Sequence, residues 1–344
     1  MEKVLLIQTW GLGDMILTTP LLKVLRAKLP GSHVTVVVGS SASAEVIRGA
    51  SLCDDVRIMS FRHSSAIAIL RFFLQLREDR FDAAVVASRL SPRIAFLLRF
   101  LSGVKIVMGD GVGARGWGYT HWRPVDVSRH KVTENLSIIE QLVPAESVGG
   151  VYFHLDEIAR TEAAYIWANA RLEGYDVLGI HPGGGTSECP DKALPVELCQ
   201  KVVEQFLTGA SHRKVVIYFG PDEGGLLRDY EKWGLKRVVL LSGLSLRVVG
   251  ATIARTRVFL AGDTGIGHIA AAVGTPVVTI AGPTDIVHTR PWGNGHQVVL
   301  TERSLDCMPC YETPLYGKCP YGQECMRAIS SMRIMQAIFE VLDR

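Results

Sequence analysis

Short runs of uninterrupted apolar residues alternate with stretches in which apolar residues recur every three or four positions, almost from one end of the chain to the other. Lys3–Thr9 (KVLLIQT), His33–Gly39 (HVTVVVG), Ala83–Ala87 and Lys105–Met108 read as strands. Met15–Leu29 reads as a helix through Ile16, Leu17, Leu21, Leu22, Val24 and Leu25, and further helical patterns lie around 64–79 and 92–102. The alternation pauses over 110–150, where Gly111, Gly113, Gly116, Gly118, Gly149 and Gly150 surround a helix near 133–143. It resumes with a helix near 157–172 and strands at Val177–His181, Lys214–Phe219, Arg237–Leu241, Val258–Ala261 and Pro276–Ile280. Helices fill the gaps near 195–208, 223–233, 245–255 and 266–273, and an amphipathic helix covers about 327–342. Strands that are apolar throughout, each followed by a helix, signify parallel sheets covered on both faces. Two such runs predict an α/β protein of two Rossmann-like domains facing a cleft, 1–150 and 151–326, with a C-terminal helix over 327–344.

Composition agrees. At about 100–200 residues per domain, 344 residues suit two domains. With 48% hydrophobic and 21% charged residues the chain has ample core, which excludes disorder. A net charge of +3 is too balanced for a wholesale nucleic-acid binder. The charge is uneven, however: 1–150 holds 18 basic and 13 acidic residues, and 48–131 alone holds 14 and 7, a local positive field suited to an anionic partner. The opening MEKVLLIQTWGLGD is not a signal peptide. The longest stretch free of Asp, Glu, Lys and Arg, Thr264–Thr284, contains two prolines and divides into a helix and a strand, so it is not a membrane span. The expected location is the cytosol, with the seven cysteines reduced.

Three strand-to-helix turns carry candidate chemistry. Trp10-Gly-Leu-Gly-Asp14 has the first two glycines of a dinucleotide fingerprint, but Ile16 stands where the third belongs and no ribose-binding acid follows the second strand. Asp14 is there either a helix N-cap or a carboxylate aimed at a ligand. His181-Pro-Gly-Gly-Gly-Thr-Ser187, with Lys192 beyond it, is either an anion nest with Thr186 and Ser187 hydroxyls or a turn with a surface lysine. Gly262-Asp-Thr-Gly-Ile-Gly-His268 ends a strand and opens a helix, where backbone amides suit phosphate. Asp263 would repel phosphate unless it meets sugar hydroxyls, and a histidine such as His268 is more often a structural hydrogen-bonder than a base. Two anion-type turns in one half suggest a diphosphate.

Cys307-x2-Cys310-x8-Cys319-x5-Cys325 reads either as a tetrahedral structural site for zinc or iron or as free or partly disulfide-paired thiols. Cys53, Cys189 and Cys199 read as small hydrophobes. Ser64–Leu76 and Ile94–Leu101 are apolar with interspersed arginines: core helices, or a basic apolar face resting on a membrane leaflet.

Taken together, Leu12-Gly-Asp-Met-Ile-Leu-Thr-Thr-Pro20, His181-Pro-Gly with Lys192-Ala-Leu-Pro195, Asp263-Thr-Gly265 through His268 to Gly274-Thr-Pro-Val277 and Gly282-Pro-Thr-Asp285, and Cys307-Met-Pro-Cys310 with Cys325-Met326 resemble the heptosyltransferases, glycosyltransferase family 9. The resemblance spans essentially the whole chain, and its Asp-Thr-Gly…Gly-Pro-Thr block is the most specific part. It implies a GT-B fold and inverting transfer of a heptose from an ADP-heptose donor to the anionic inner core of lipopolysaccharide, with no cofactor required for catalysis. It further implies that Asp14 is the general base, that Thr186, Ser187 and Lys192 serve the donor phosphates, that Asp263, Thr264, Gly265 and His268 hold phosphate and heptose, and that Glu223 lies near the nucleoside. Peripheral contact with the cytoplasmic face of the inner membrane would follow from a lipid-anchored acceptor; no nucleic acid is involved. Rival readings are the same fold with another nucleotide sugar or a protein acceptor, a nucleotide-binding oxidoreductase, and a non-catalytic binding protein.

Overall fold

A computed structural model of the chain describes residues 1–88, 92–111, 116–140, 149–184, 190–311 and 313–343. The chain forms two compact units, Met1–His154 and Leu155–Arg344. The first is built on β1 (Lys3–Gln8), β2 (His33–Val38), β3 (Asp55–Ile58), β4 (Ala83–Val86), β5 (Ile106–Gly111) and β6 (His121–Pro124). These form one parallel sheet in the order β3-β2-β1-β4-β5-β6. The second contains β7 (Asp176–His181), β8 (Arg213–Phe219), β9 (Val238–Ser242), β10 (Val258–Gly262), β11 (Val277–Ile280) and β12 (Gln297–Val299). They are also parallel, in the order β12-β11-β10-β7-β8-β9. Each order reverses once, between β1 and β4 and between β7 and β10, and open α/β sheets bind ligands outside the carboxyl ends of strands at such a point.

The central strands are apolar throughout because both their faces are covered: Val4–Ile7, Ala83–Val86 and Val258–Gly262 are buried at every position. Three strands that the apolar pattern misses, β3, β6 and β12, are all short strands at sheet edges with most side chains only partly covered, so they show no long apolar run. On one face of the first sheet, the helices Ala66–Asp79 and Pro92–Phe100 bury Phe72, Phe73, Leu76, Ile94, Ala95 and Leu98 in a shared core. In the second unit the C-terminal helix Ser331–Leu342 buries Ile334, Met335, Ala337, Ile338 and Val341 among residues of the helix Val196–Leu207, and so is part of that unit's core.

The helix Leu12–Lys28 explains the Thr-Thr-Pro segment. Pro20 has no N–H to offer the Ile16 carbonyl, which would otherwise be left without its helical partner. The Thr19 hydroxyl donates to that carbonyl instead, at 2.6 Å, and accepts from the Tyr152 N–H at 2.8 Å. The Thr18 hydroxyl donates to the Asp14 carbonyl and accepts from the buried amides of Gln8 and Asn135, each at 3.0 Å.

Candidate functional site

In the first unit, Asp14 lies just beyond the carboxyl end of β1, at the point where the strand order reverses. It is not the N-cap: Gly11 holds that place without a side-chain cap bond, and Asp14 is the third residue of the helix, half-buried. Its carboxylate sits in the first turn, where the helix dipole favours negative charge. The turn is held by the Gln8–Thr18–Asn135 network, so the backbone of Asp14 is anchored from three segments.

The basic region of this unit is partly neutralised. Arg57 binds Asp55 and Asp79, Arg123 binds Glu140, Arg129 binds Asp126, and Lys131 forms a buried pair with Glu134 at 2.8 Å. Arg62, Arg71, Arg77 and Arg80 are exposed, with no carboxylate partner among the described residues. Beside them Ile67, Leu70, Leu74, Phe96 and Phe100 remain exposed on the two helices whose opposite sides fill the core. Phe96 contacts Phe100 and Trp117, with ring centroids 4.5 and 5.4 Å apart. These helices are therefore core elements on one side and an apolar surface on the other. Among the described residues, no helix is long and apolar enough to cross a membrane.

In the second unit, the turns after β7, β8, β10 and β11 carry the remaining candidates, on four adjacent strands. His181 ends β7 and pairs in register with Ala261 of β10. Its Nε2 lies 3.3 Å from Glu223 Oε2, an oxygen that also accepts from the Gly220 N–H at 2.7 Å. Glu223 presses against Gly183 so closely that any side chain at 183 would collide with its carboxylate. A side chain at Gly183, the first glycine of the Pro-Gly turn, would therefore displace the Glu223 carboxylate from His181 and the Gly220 N–H. Thr186 and Ser187 lie outside the described residues. Lys192 is half-buried before the helix Val196–Leu207, and its charge reaches Asp263.

Asp263 follows β10 and is buried. Burial alone would raise its pKa. The His268 ring, with Nε2 3.6 Å from Oδ1, the Lys192 charge and a 2.9 Å hydrogen bond from the Thr289 hydroxyl outweigh that and hold it below the ordinary aspartate range. Its oxygens are directed at a ring and a hydroxyl. Thr264 caps the helix Gly265–Ala272 without a side-chain cap bond, and its buried hydroxyl has no hydrogen-bond partner among the described residues. The same holds for His268 Nδ1, His181 Nδ1 and the hydroxyl of buried Thr284, after β11. An unsatisfied buried polar atom costs roughly 1–3 kcal/mol, and these four end or follow the adjacent strands β7, β10 and β11, where the polar groups of a ligand would satisfy them.

Sequence reasoning missed Thr289, Thr284 as an individual residue, and His296. The His296 Nδ1 accepts from the Val277 N–H at 3.1 Å, and burial together with the nearby His268 ring holds its pKa below the usual histidine range. Only the Gly282-Pro-Thr turn gave any signal for these. Cys53, Cys199, Cys307, Cys310, Cys319 and Cys325 are free thiols. Desolvation and the neighbouring cysteine and aspartate charges push Cys310 up, and desolvation with the other three thiols pushes Cys325 up to about 11. Cys307, Cys310, Cys319 and Cys325 are therefore within electrostatic reach of one another. Among the described residues, however, no three His, Cys, Asp or Glu side chains close to metal-ligand spacing.

A family model described as glycosyltransferase family 9 (heptosyltransferase) matches residues 69–318, a span that begins after Asp14. Lipopolysaccharide heptosyltransferase 3 of Escherichia coli K12 is 26% identical over 327 residues, covering 86% of this chain and 89% of that protein. A solved glycosyl transferase of family 9 from Veillonella parvula superposes with a TM-score of 0.83 at 21% identity, covering 99% of this chain and 97% of that one. An E. coli heptosyltransferase solved with ADP-2-deoxy-2-fluoro heptose superposes with a TM-score of 0.71 at 19% identity, covering 98% and 99%. The GT-B-like fold of two parallel six-stranded sheets is common to them.

Proposed function

Because the chain belongs to glycosyltransferase family 9, the heptosyltransferases, it is a glycosyltransferase, and from that premise we propose that it moves a heptose with inversion from ADP-heptose to the inner core of lipopolysaccharide. One observation carries the reading to this chain's residues: the buried, unpartnered Thr264 hydroxyl, His268 Nδ1 and His181 Nδ1 at the reversal point between β7 and β10. A diphosphate with sugar hydroxyls supplies the acceptors and donors they lack. In this reading Thr186, Ser187, Lys192, Thr264 and the Gly265 amide stabilise the charge that develops on the leaving ADP, which is where electrostatic catalysis acts. Asp263 and His268 hold the heptose, and Glu223 serves the nucleoside side. Asp14 takes the proton of the acceptor hydroxyl as that oxygen bonds to the anomeric carbon and the bond to the ADP phosphate breaks.

The acceptor's carboxylates and phosphates are matched by Arg62, Arg71, Arg77 and Arg80, exposed and without a carboxylate partner among the described residues. The exposed Leu70, Leu74, Phe96 and Phe100 beside them support peripheral contact with the cytoplasmic face of the inner membrane. The four C-terminal thiols lie within electrostatic reach of one another but not at metal-ligand spacing, so a structural zinc or iron site would need the cation to draw them together. About one zinc or iron per chain in purified protein is then expected, and metal-free protein of full stability would exclude the site.

The test of the reaction is product analysis with ADP-heptose, UDP-sugars and truncated lipopolysaccharide acceptors, with the new anomeric configuration read by NMR. Transfer from ADP-heptose with inverted configuration is expected. Turnover with another nucleotide sugar, or onto protein, and none with ADP-heptose would overturn it.

A further inference from the structure

The cysteine-rich segment (307–311 and 313–326) packs against the turns that carry Lys192 and Pro283, in part through Asp191, Tyr311, Tyr316, Gly317 and Gln323, to which the proposed chemistry assigns nothing. Lys192 Nζ stands 4.1 Å from the centroid of the Tyr311 ring. That ring meets Tyr316 edge-on at 4.9 Å. The backbone N–H groups of Cys310 and Tyr311 both donate to the Pro283 carbonyl, at 2.9 Å each, within the Gly-Pro-Thr turn after β11. Asp191, next to the lysine, is buried, and both its oxygens are taken from the same segment. One accepts from the Gly317 N–H at 2.6 Å and the other from the Gln323 side-chain amide at 2.8 Å. On its far side the Lys192 carbonyl lies against Gly262, where a Cβ would stand 2.5 Å from it, so the lysine backbone has no room to withdraw toward β10.

This arrangement solves an electrostatic problem. A lysine meant for a phosphate must be held in place without being neutralised. A carboxylate partner would hold it but cancel its charge; the carboxylate next to it in the chain, Asp191, is turned to Gly317 and Gln323 instead, and Asp263 feels the Lys192 charge without a salt bridge to it. Among the described residues Lys192 makes no salt bridge. An aromatic face attracts the ammonium through its quadrupole and leaves the full positive charge free to meet an anion. We propose that Tyr311 and Asp191 are positioning residues: the segment 307–326 clamps the 191–192 backbone through Asp191 and presents the Lys192 ammonium to the donor diphosphate on the face of Tyr311. The proposal rests on the reading of Lys192 as a donor-phosphate residue.

A double-mutant cycle tests it, with the ADP dissociation constant by calorimetry and steady-state kcat and donor KM as readouts. Tyr311→Leu fills the space but has no π face. It is expected to weaken ADP binding and lower kcat/KM for the donor by roughly 3- to 30-fold, the range of a cation–π contact. Tyr311→Phe, which keeps the face, restores both constants. In a Lys192→Ala background Tyr311→Leu then changes them by less than about twofold, because the contact it removes is already absent. Asp191→Asn, which keeps one acceptor and turns a donor toward the Gly317 N–H or the Gln323 amide, is expected to raise donor KM and leave acceptor KM unmoved. Equal effects of Tyr311→Leu in the native and Lys192→Ala backgrounds overturn the clamp, as does failure of Tyr311→Phe to restore binding with an unchanged melting temperature. If Lys192→Ala itself leaves ADP binding and kcat/KM intact, the donor-phosphate reading of Lys192 falls and the clamp with it. Loss on Lys192→Ala without coupling to Tyr311 overturns the clamp alone.

Discussion

Replacing Asp14 by Asn separates a catalytic carboxylate from a structural one, because the two roles predict effects of different size. The side chain keeps its shape and loses its charge. Gly11, not Asp14, occupies the cap position, so no side-chain cap bond is at stake. What the helix Leu12–Lys28 loses is a first-turn charge worth about 0.3–1 kcal/mol at a partly exposed site. At about 2–4 °C per kcal/mol for domains of this size, the melting temperature should fall by at most ~4 °C. Thr18 bonds the Asp14 backbone carbonyl, so the Gln8–Thr18–Asn135 network survives the substitution. A general base contributes roughly 10²–10⁴-fold, equivalent to about 2.7–5.5 kcal/mol in the barrier. The assay is kcat with saturating ADP-heptose and acceptor, with ADP affinity and thermal unfolding measured on the same preparation. Turnover should fall by two to four orders of magnitude while ADP affinity stays put. A fully active Asp14→Asn enzyme refutes the base, and so does a loss of activity that merely parallels a loss of folded protein.

Three further outcomes follow from charges in the structure. Lys131 and Glu134 are both almost fully buried, so Lys131→Ala takes the ammonium from a buried carboxylate and should cost about 3–5 kcal/mol in urea unfolding. The double change Lys131→Met with Glu134→Leu should recover most of that, and a single-mutant loss under about 1 kcal/mol would show the pair is solvated. Asp263 has its folded pKa lowered, so its contribution to stability is complete above the unfolded value of about 3.9 and is lost as pH falls through the folded one. Asp263→Asn should therefore flatten the acid limb of stability below about pH 4, by denaturant midpoints; an unaltered limb would assign that dependence to other carboxylates. Anionic vesicles should bind the protein with about 1 kcal/mol per arginine near the surface, less at high salt, and Phe96→Ser with Phe100→Ser should reduce this binding without lowering transfer to a soluble acceptor. Binding insensitive to those two substitutions would place the contact elsewhere.

The two sheets were legible in sequence because a strand buried on both faces cannot alternate, and its unbroken apolar run survives translation into a pattern. Edge strands such as His121–Pro124 have partly exposed side chains, so nothing local distinguishes them from loop. The strand-to-helix turns at Asp14, His181 and Asp263 were also visible, since glycines and short polar residues between a strand and a helix have few structural reasons to occur together. What each carboxylate does there was not. Whether Asp14 caps its helix depended on where the first turn begins, and the cap falls three residues earlier, at Gly11.

Local sequence thus determined the elements, their class and the position of the candidate turns, because those depend on periodicity and backbone preference over a few residues. Tertiary structure alone decided the partners. Asp263 takes a hydrogen bond from Thr289, 26 positions on, Asp191 from Gln323, 132 positions on, and Lys192 finds the ring of Tyr311. It also decided which arginines of the basic region are spent on Asp55, Asp79, Glu140 and Asp126 and which remain free of them. Charge and hydrogen-bond partnership depend on distance through space, and the sheet order, reversing at β1/β4 and β7/β10, sets those distances across loops whose lengths carry no record of them.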